Sequence, residues 1–394
     1  MGKDSVSEKK PKLMKKSYIP FGRPDYGREE IQAVTRILRS GWIGMGSETI
    51  KFEKELARRI HAPHVVAVGS CTAAMMLSLH VFGVGKGDEV ICPSLTWCST
   101  ANVVLYQGAR PVFCDIDPTT FCVTPGSILE KVTPRTKAVM VVHFGGFAVD
   151  VLRLRLVLPK HIAIIEDAAH AFGARYPNGE LVGSSGNLVC FSFYANKNLS
   201  TAEGGAVALF DQKKADKIRS LRQHGLPIDA WKRFTHPKAI LFSAALKELG
   251  YKANYTDLQA ALGRVQLRRF SSMQSHRSKI AAVYGKFLKK NLPWVLPQAS
   301  VTCDRHAKHL FPIRIRKNSR IKRNWVLREL RKKGIGATVH YAPLHKMPLY
   351  ENSKTNNLPF TEEVGAEILT LPISASIQRR EAIWVCKKLV EVLT

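Results

Sequence analysis

Two residues thirty positions apart, Asp167 and Lys197, carry the most legible chemistry in this chain. Asp167 closes Ala163-Ile-Ile-Glu-Asp167-Ala-Ala-His170, an apolar run that ends abruptly in two carboxylates and a histidine. Lys197 ends Val189-Cys-Phe-Ser192-Phe-Tyr-Ala-Asn-Lys197, a β-type run that leads to a hydroxyl and then an amine. A lysine at one strand end can form a Schiff base with an aldehyde. A carboxylate at another can hold a pyridine nitrogen protonated, so that the ring accepts electrons. The pair is suited to clasp pyridoxal phosphate (PLP). Such a lysine needs a partly desolvated setting in which its amine can be neutral.

Three neighbouring segments fit the same chemistry, and each also has a plainer reading. Gly69-Ser70-Cys71-Thr72 lies between a strand and a helix start, where free backbone N–H groups and the helix dipole favour an anion. Capping of that helix by Ser70 or Thr72 accounts for the same residues. Trp97, in Pro93-Ser-Leu-Thr-Trp97, could stack on a flat ring or simply fill a core. His170 could serve the site or be a hydrogen-bonded core histidine. The glycines of Thr201-Ala-Glu-Gly-Gly205 allow a loop to approach a ligand closely.

These residues need a scaffold, and the pattern supplies one. Strand-like runs at 65–69, 89–93, 110–115, 138–144, 162–167, 188–193 and 205–210 are interleaved with helical stretches, including 72–82 and 99–106. Strands joined by helical crossovers predict an α/β fold with a mostly parallel central sheet, whose ligands bind at the carboxyl ends of the strands. Gly69, Pro93, Asp167 and Ser192 all fall at such ends. The chain then turns helical and polar over 211–265, with a helix at about 254–267. Strands follow at 310–315 and 337–341, and helices at 319–333 and 380–393. The expected organisation is a basic, disordered tail (1–16), a large PLP-binding domain (17–265) and a smaller α+β C-terminal domain (266–394).

Composition narrows the function classes. With 394 residues, 45% hydrophobic and 23% charged, the chain has enough apolar material for two cores. No apolar run reaches the roughly 20 residues needed to span a bilayer. Residues 1–17 lack both arginine and an apolar core, so neither a secretory nor a mitochondrial signal fits; Val6 also argues against myristoylation at Gly2. The eight cysteines form no C-x-x-C pair and no zinc spacing, which predicts free thiols, no metal and a cytoplasmic location. The net charge of +29 is uneven: residues 305–333 hold twelve Lys/Arg against Glu329 alone. Attraction to a polyanion and a solvated basic helix face are the competing readings. No motif predicts specific nucleic-acid binding.

The ordered motifs resemble the DegT/StrS-type nucleotide-sugar aminotransferases over almost the whole chain after residue 17. They are Ile19-Pro-Phe-Gly-Arg-Pro, Ser40-Gly-Trp-Ile43, Pro93-Ser-Leu-Thr-Trp97, Glu166-Asp-Ala-Ala-His-Ala, Phe191-Ser-Phe with Lys197, Glu203-Gly-Gly, Gly250-Tyr-Lys-Ala-Asn254-Tyr-Thr-Asp257, Pro343-Leu-His345 and Leu369-Thr-Leu-Pro372. The resemblance implies PLP-dependent fold type I (aspartate-aminotransferase-like) and transfer of an amino group from glutamate to a nucleotide-linked keto sugar. It places Lys197 on the cofactor as proton shuttle, Asp167 on the ring nitrogen, His170 near the phenolic oxygen and Trp97 over the ring. Cys71 (through its backbone), Thr72 and Ser192 would hold the phosphate. Asn254 would reach the phosphate of a neighbouring subunit in a homodimer, and Ile43, Tyr341 and His345 would line the sugar pocket. The presence of lysine, where a dehydrating branch has histidine, favours transamination. Thr96-Trp97-Cys-Ser-Thr, Thr201-Ala-Glu-Gly-Gly, Asp229-Ala-Trp231 and Gly250-Tyr-Lys are similar to the branch making UDP-4-amino-4-deoxy-L-arabinose, whereas Ala253 and Tyr194 depart from it. A dTDP- or GDP-linked 3- or 4-keto sugar is the alternative substrate. A non-catalytic PLP-binding regulator or scaffold is the alternative of another class.

Overall fold

A computed structural model describes residues 18–226, 246, 248–316, 322–351 and 357–394. The basic tail and Asp229-Ala-Trp231 lie outside the described residues. Seven strands form one sheet: β1 (His64–Val68), β2 (Glu89–Pro93), β3 (Arg110–Cys114), β4 (Thr136–Val142), β5 (Ala163–Asp167), β6 (Leu188–Ser192) and β7 (Gly205–Leu209). Their order is β1-β7-β6-β5-β4-β2-β3. Strands β3, β2, β4, β5 and β6 run parallel, while β7 is antiparallel to both β6 and β1. Strands β2, β5, β6 and β7 are buried along their whole length. Burial on both faces explains why they read as continuous apolar runs rather than alternating ones. Each face carries its own core, one built around Phe52, Phe121, Phe144, Phe172 and Phe193, the other around Met75, Leu77, Phe113 and Met140.

The antiparallel turn of β7 has a local cause. Only residues 193–204 join β6 to β7, and they contain no helix. A connection without a crossover helix brings the chain back antiparallel. It also leaves the start of β7 at the same sheet edge as the carboxyl ends of β1, β5 and β6, which is where the site forms.

A single helix, Asp257–Asn291, links the two halves. Thr256 caps it by accepting the Gln259 N–H at 3.2 Å, and Gln259 Oε1 accepts the Thr256 N–H at 3.0 Å. Its first residue caps a second helix. The Asp257 carboxylate accepts the N–H groups of Gly46, Glu48 and Thr49 at 2.8–3.1 Å, at the start of Ser47–Ile60. The helix expected at about 254–267 starts at Asp257, three residues later than the sequence places it, and runs on to Asn291, so position 266 lies inside it.

Beyond this helix, β8 (Leu296–Pro297), β9 (Phe311–Arg314) and β10 (Ile368–Leu371) make an antiparallel sheet in the order β10-β9-β8. Helices Arg323–Lys332 and Arg379–Leu393 contribute to a third core with Phe311, Ile313 and Tyr284. Ile19 packs in this core and bridges to Ile335. The strand expected at 337–341 does not form. Thr338 makes one bridge to Thr370, after which His340 and Tyr341 turn towards the large sheet. Among the described residues, no helix is long and apolar enough to cross a membrane.

Candidate active site

A cavity of about 430 Å³ opens at the carboxyl edge of the large sheet. One wall is the start of helix Cys71–Val81, where Ser70 Oγ accepts the Ala73 N–H at 3.1 Å. Ser70, Cys71 and Thr72 all face the cavity, so the helix dipole and its first N–H groups point into it. Gly205 lies directly against this turn. A Cβ there would stand 2.5 Å from the Ser70 carbonyl carbon, so only glycine lets β7 and the turn meet. Ser70 thus caps the helix, and the capped turn borders the cavity.

Asp167, at the end of β5, is 5% exposed. Its Oδ2 accepts the Thr100 hydroxyl at 2.9 Å and its Oδ1 accepts the Ala169 N–H at 3.1 Å. Thr96 Oγ1 lies 3.0 Å from the Thr100 hydroxyl and completes a short chain behind the carboxylate. The Cys71 thiol sits 3.9 Å from Oδ1; burial, reinforced by this carboxylate, pushes its pKa far up and keeps it protonated. Lys197 opens on the same cavity. Burial pulls its amine down to about 8 from an ordinary 10.5, although Asp167 opposes the shift. An amine of this kind is close to half neutral at mildly alkaline pH, which nucleophilic attack on a carbonyl requires.

His170 is a neutral donor. Burial, and then the positive charge of Lys197, drive its pKa well below the ordinary 6.5. Its Nδ1 accepts the Gly145 N–H at 3.2 Å, so the ring hydrogen resides on Nε2, 3.1 Å from the Tyr341 hydroxyl oxygen. The Tyr341 phenol, held protonated by its own burial, is left free to donate. Tyr341 and His170 stack at 6.1 Å and 18°, and Trp97 lies 5.9 Å from Tyr341. Trp97 is 60% exposed, so it forms the rim of the cavity and not a core.

Behind Asp167, Glu166 is fully buried with four donors: His143 Nε2 at 2.8 Å, Tyr176 at 2.6 Å, Ser185 at 2.5 Å and Asn187 at 2.8 Å. Burial alone would raise its pKa, but these bonds outweigh that and hold it below the ordinary 4.5. Its stabilising contribution is therefore complete above about pH 4.5 and disappears as pH falls through the lower folded-state value. Glu166→Ala strands several buried donors and is expected to cost about 3–5 kcal/mol in a urea titration, as when one member of a buried polar pair is removed. A loss below about 1 kcal/mol would contradict this account of the network.

Of the residues singled out from sequence, Cys71, Thr72, Trp97, Asp167, His170, Ser192, Lys197 and Tyr341 line the cavity. Ile43, Asn254 and His345 do not. Ile43 is exposed at the surface. His345 Nδ1 bonds Ser94 Oγ at 2.6 Å and its Nε2 meets Glu362 at 3.2 Å. Asn254 bridges to Val68 beside the end of β1. Sequence reasoning overlooked Thr100, Asn196, His309 and His340, and named Tyr194 only as a departure from the 4-amino-arabinose branch. Thr100 had a local signal, lying in the first turn of helix Ser99–Tyr106, directly after the strand end at Pro93. His309 had none, lying 112 residues from the lysine that it faces.

Residues 24–390 match the DegT/DnrJ/EryC1/StrS aminotransferase family, and the chain belongs to that family of PLP-dependent sugar aminotransferases. It is 40% identical over 366 residues to the spore coat polysaccharide biosynthesis protein SpsC of Bacillus subtilis, covering 91% of this chain and 93% of that one. The PMP-form of Spr1654 from Streptococcus pneumoniae superposes with a TM-score of 0.88 at 32% identity, covering 95% of this chain and 98% of the other. Helicobacter pylori PseC, an aminotransferase involved in the biosynthesis of pseudoaminic acid, gives 0.87 at 26%, covering 95% and 99%.

Proposed function

We propose that the protein transfers an amino group from glutamate to a nucleotide-linked keto sugar, a UDP-linked 4-keto sugar first among them, in the assembly of a surface polysaccharide. The observation that carries this reading is that Asp167 and Lys197 open onto one cavity beside a helix start. The residues suit PLP: a desolvated amine for the aldehyde, a hydrogen-bonded carboxylate for the ring nitrogen, and an N-terminal helix turn with Ser192 for the phosphate. PLP, when bound, draws electrons away from the carbon whose proton must move. Lys197 would bond the cofactor at rest and, once displaced, carry the proton between carbons at its Nζ. Asp167, oriented by Thr100 and Ala169, would hold the ring nitrogen protonated. His170 and Tyr341 offer neutral donors, and Trp97 would restrict water at the rim.

Two relatives support the sugar class: SpsC by its place in spore coat polysaccharide biosynthesis and PseC by pseudoaminic acid. The motif likeness to the 4-amino-arabinose branch favours UDP and the 4-position; dTDP- and GDP-linked 3- or 4-keto sugars are the alternatives. A PLP-binding scaffold without turnover is disfavoured by the joint presence of Lys197, Asp167 and Ser192 around one cavity. The test is a panel of UDP-, dTDP- and GDP-linked keto sugars with glutamate. The visible cofactor band should shift on adding glutamate and return on adding the correct sugar. An inert band with every amino acid would sink the reading.

The site would be completed by a second copy in a cytoplasmic homodimer. Asn254 is absent from the lining of its own cavity, which leaves its side chain available to a partner's. Asn254→Ala is expected to weaken PLP retention about tenfold, the effect of losing one hydrogen bond to a charged group. Equilibrium dialysis checks it, and unchanged retention would refute the shared site.

A further inference from the structure

The Lys197 amine is approached from two sides. Asp167 and His170 line the cavity on which Lys197 opens, whereas the buried His309 is absent from its lining. His309 is 3% exposed, its ring lies 4.6 Å from that of His170, and its Nε2 is 3.5 Å from Lys197 Nζ.

The neighbours of His309 fix which of its nitrogens carries hydrogen. Asn198 Nδ2 donates to the Ala307 carbonyl at 2.7 Å, and Gln274 Nε2 donates to that same carbonyl at 3.0 Å. A further contact from Asn198 Nδ2 to Gln274 Oε1 at 3.4 Å agrees with this orientation of the amide. Asn198 Oδ1 is thereby turned to His309 Nδ1, at 3.1 Å. An amide oxygen only accepts, so Nδ1 bears the hydrogen and the Nε2 lone pair faces the amine. The charged or titratable groups around the ring are Lys197, His170, His340 and Arg277. After burial itself, they too disfavour a charge on His309.

We infer that His309 is a positioning residue for Lys197: its Nε2 accepts one N–H of the amine from behind, which directs the amine lone pair into the cavity. At 3.5 Å the contact lies at the long end of the hydrogen-bond range. An untethered lysine would sample several rotamers about its terminal bond; one fixed N–H leaves a far narrower range. The role rests on the aminotransferase reading above, because only there must the neutral amine face a carbon in the cavity.

The test compares full-length wild type, His309→Leu and His309→Gln. Titration of the Lys197 amine is followed by competitive acetylation and peptide mass spectrometry on cofactor-stripped protein. Loss of the acceptor removes a bond that favours the ammonium form, so the leucine variant should titrate about one pH unit lower than wild type. With cofactor restored, its kcat should fall about tenfold or more while KM for both substrates stays within about twofold, the signature of misplaced chemistry rather than lost binding. The glutamine variant, whose amide oxygen can accept, should lie between the two. A more neutral yet slower lysine is an outcome that a packing role does not produce. Variants that fold with wild-type melting temperatures and titrate at the wild-type pH would overturn the inference, and the glutamine variant decides alone if leucine prevents folding. Wild type without turnover would overturn the functional reading instead, and the amine titration would still report on His309.

Discussion

Lys197→Ala is expected to abolish transamination while leaving the chain folded. The lysine is the one amine facing the cavity among the described residues, and the proposed reaction uses it both to bond the cofactor and to move the proton. Removing a positioned acid–base group typically costs about 10²–10⁴-fold, and loss of the covalent anchor adds to that. Turnover with glutamate and a keto sugar, measured alongside the melting temperature, checks it. Wild-type turnover would refute the assignment. A second readout follows from the pKa of about 8. The depressed value means that the neutral, nucleophilic form dominates above pH 8. Capture of PLP by cofactor-stripped wild type should therefore accelerate with rising pH only to about 8 and then level off. An ordinary lysine would keep gaining to about pH 10.4. Stopped-flow absorbance distinguishes the two curves.

Asp167→Asn is expected to lower kcat by about 10²–10³-fold, the usual effect of deleting a preorganised electrostatic partner. The replacement keeps the size of the side chain and an oxygen able to accept from Thr100 or the Ala169 N–H, so the fold should survive. It loses the charge that would keep the ring nitrogen protonated. The amino donor should still react once, slowly, in a single-turnover experiment, because Lys197 remains. A variant with wild-type kcat would separate Asp167 from the ring nitrogen and remove half of the proposed clasp.

The seven strands of the large sheet and the meeting of Asp167 with Lys197 could be read from sequence because they depend on local signals. Apolar runs of strand length end in polar residues, and carboxyl ends of strands converge in such sheets. The antiparallel course of β7 went unread, although the absence of a helical segment between Ser192 and Gly205 signals it. The full extent of Asp257–Asn291 was missed because its Ser271-Ser-Met-Gln-Ser-His stretch resembles a polar connection; packing of Ile280, Ala281, Tyr284 and Leu288 into the C-terminal core overrides weak local propensity. The same limit applies to the site. Trp97 and Ser192 carry recognisable neighbours, whereas His309 acquires its role only by being folded against Asn198 and Lys197. The expected strand at 337–341 failed for a related reason: Thr338 satisfies a strand pattern, but the chain is diverted so that Tyr341 can meet His170.

The helix Asp257–Asn291, some 50 Å long at 1.5 Å per residue, has one end fastened to the start of Ser47–Ile60 and the other sunk in the C-terminal core. Midway it presents Gln274 and Arg277 to the Ala307–Lys308 backbone. It acts as a common axle: the helix runs unbroken through residue 266, and Gln274 ties it to the loop that carries His309. Rigidity far from the sheet is in this way delivered to a single nitrogen atom.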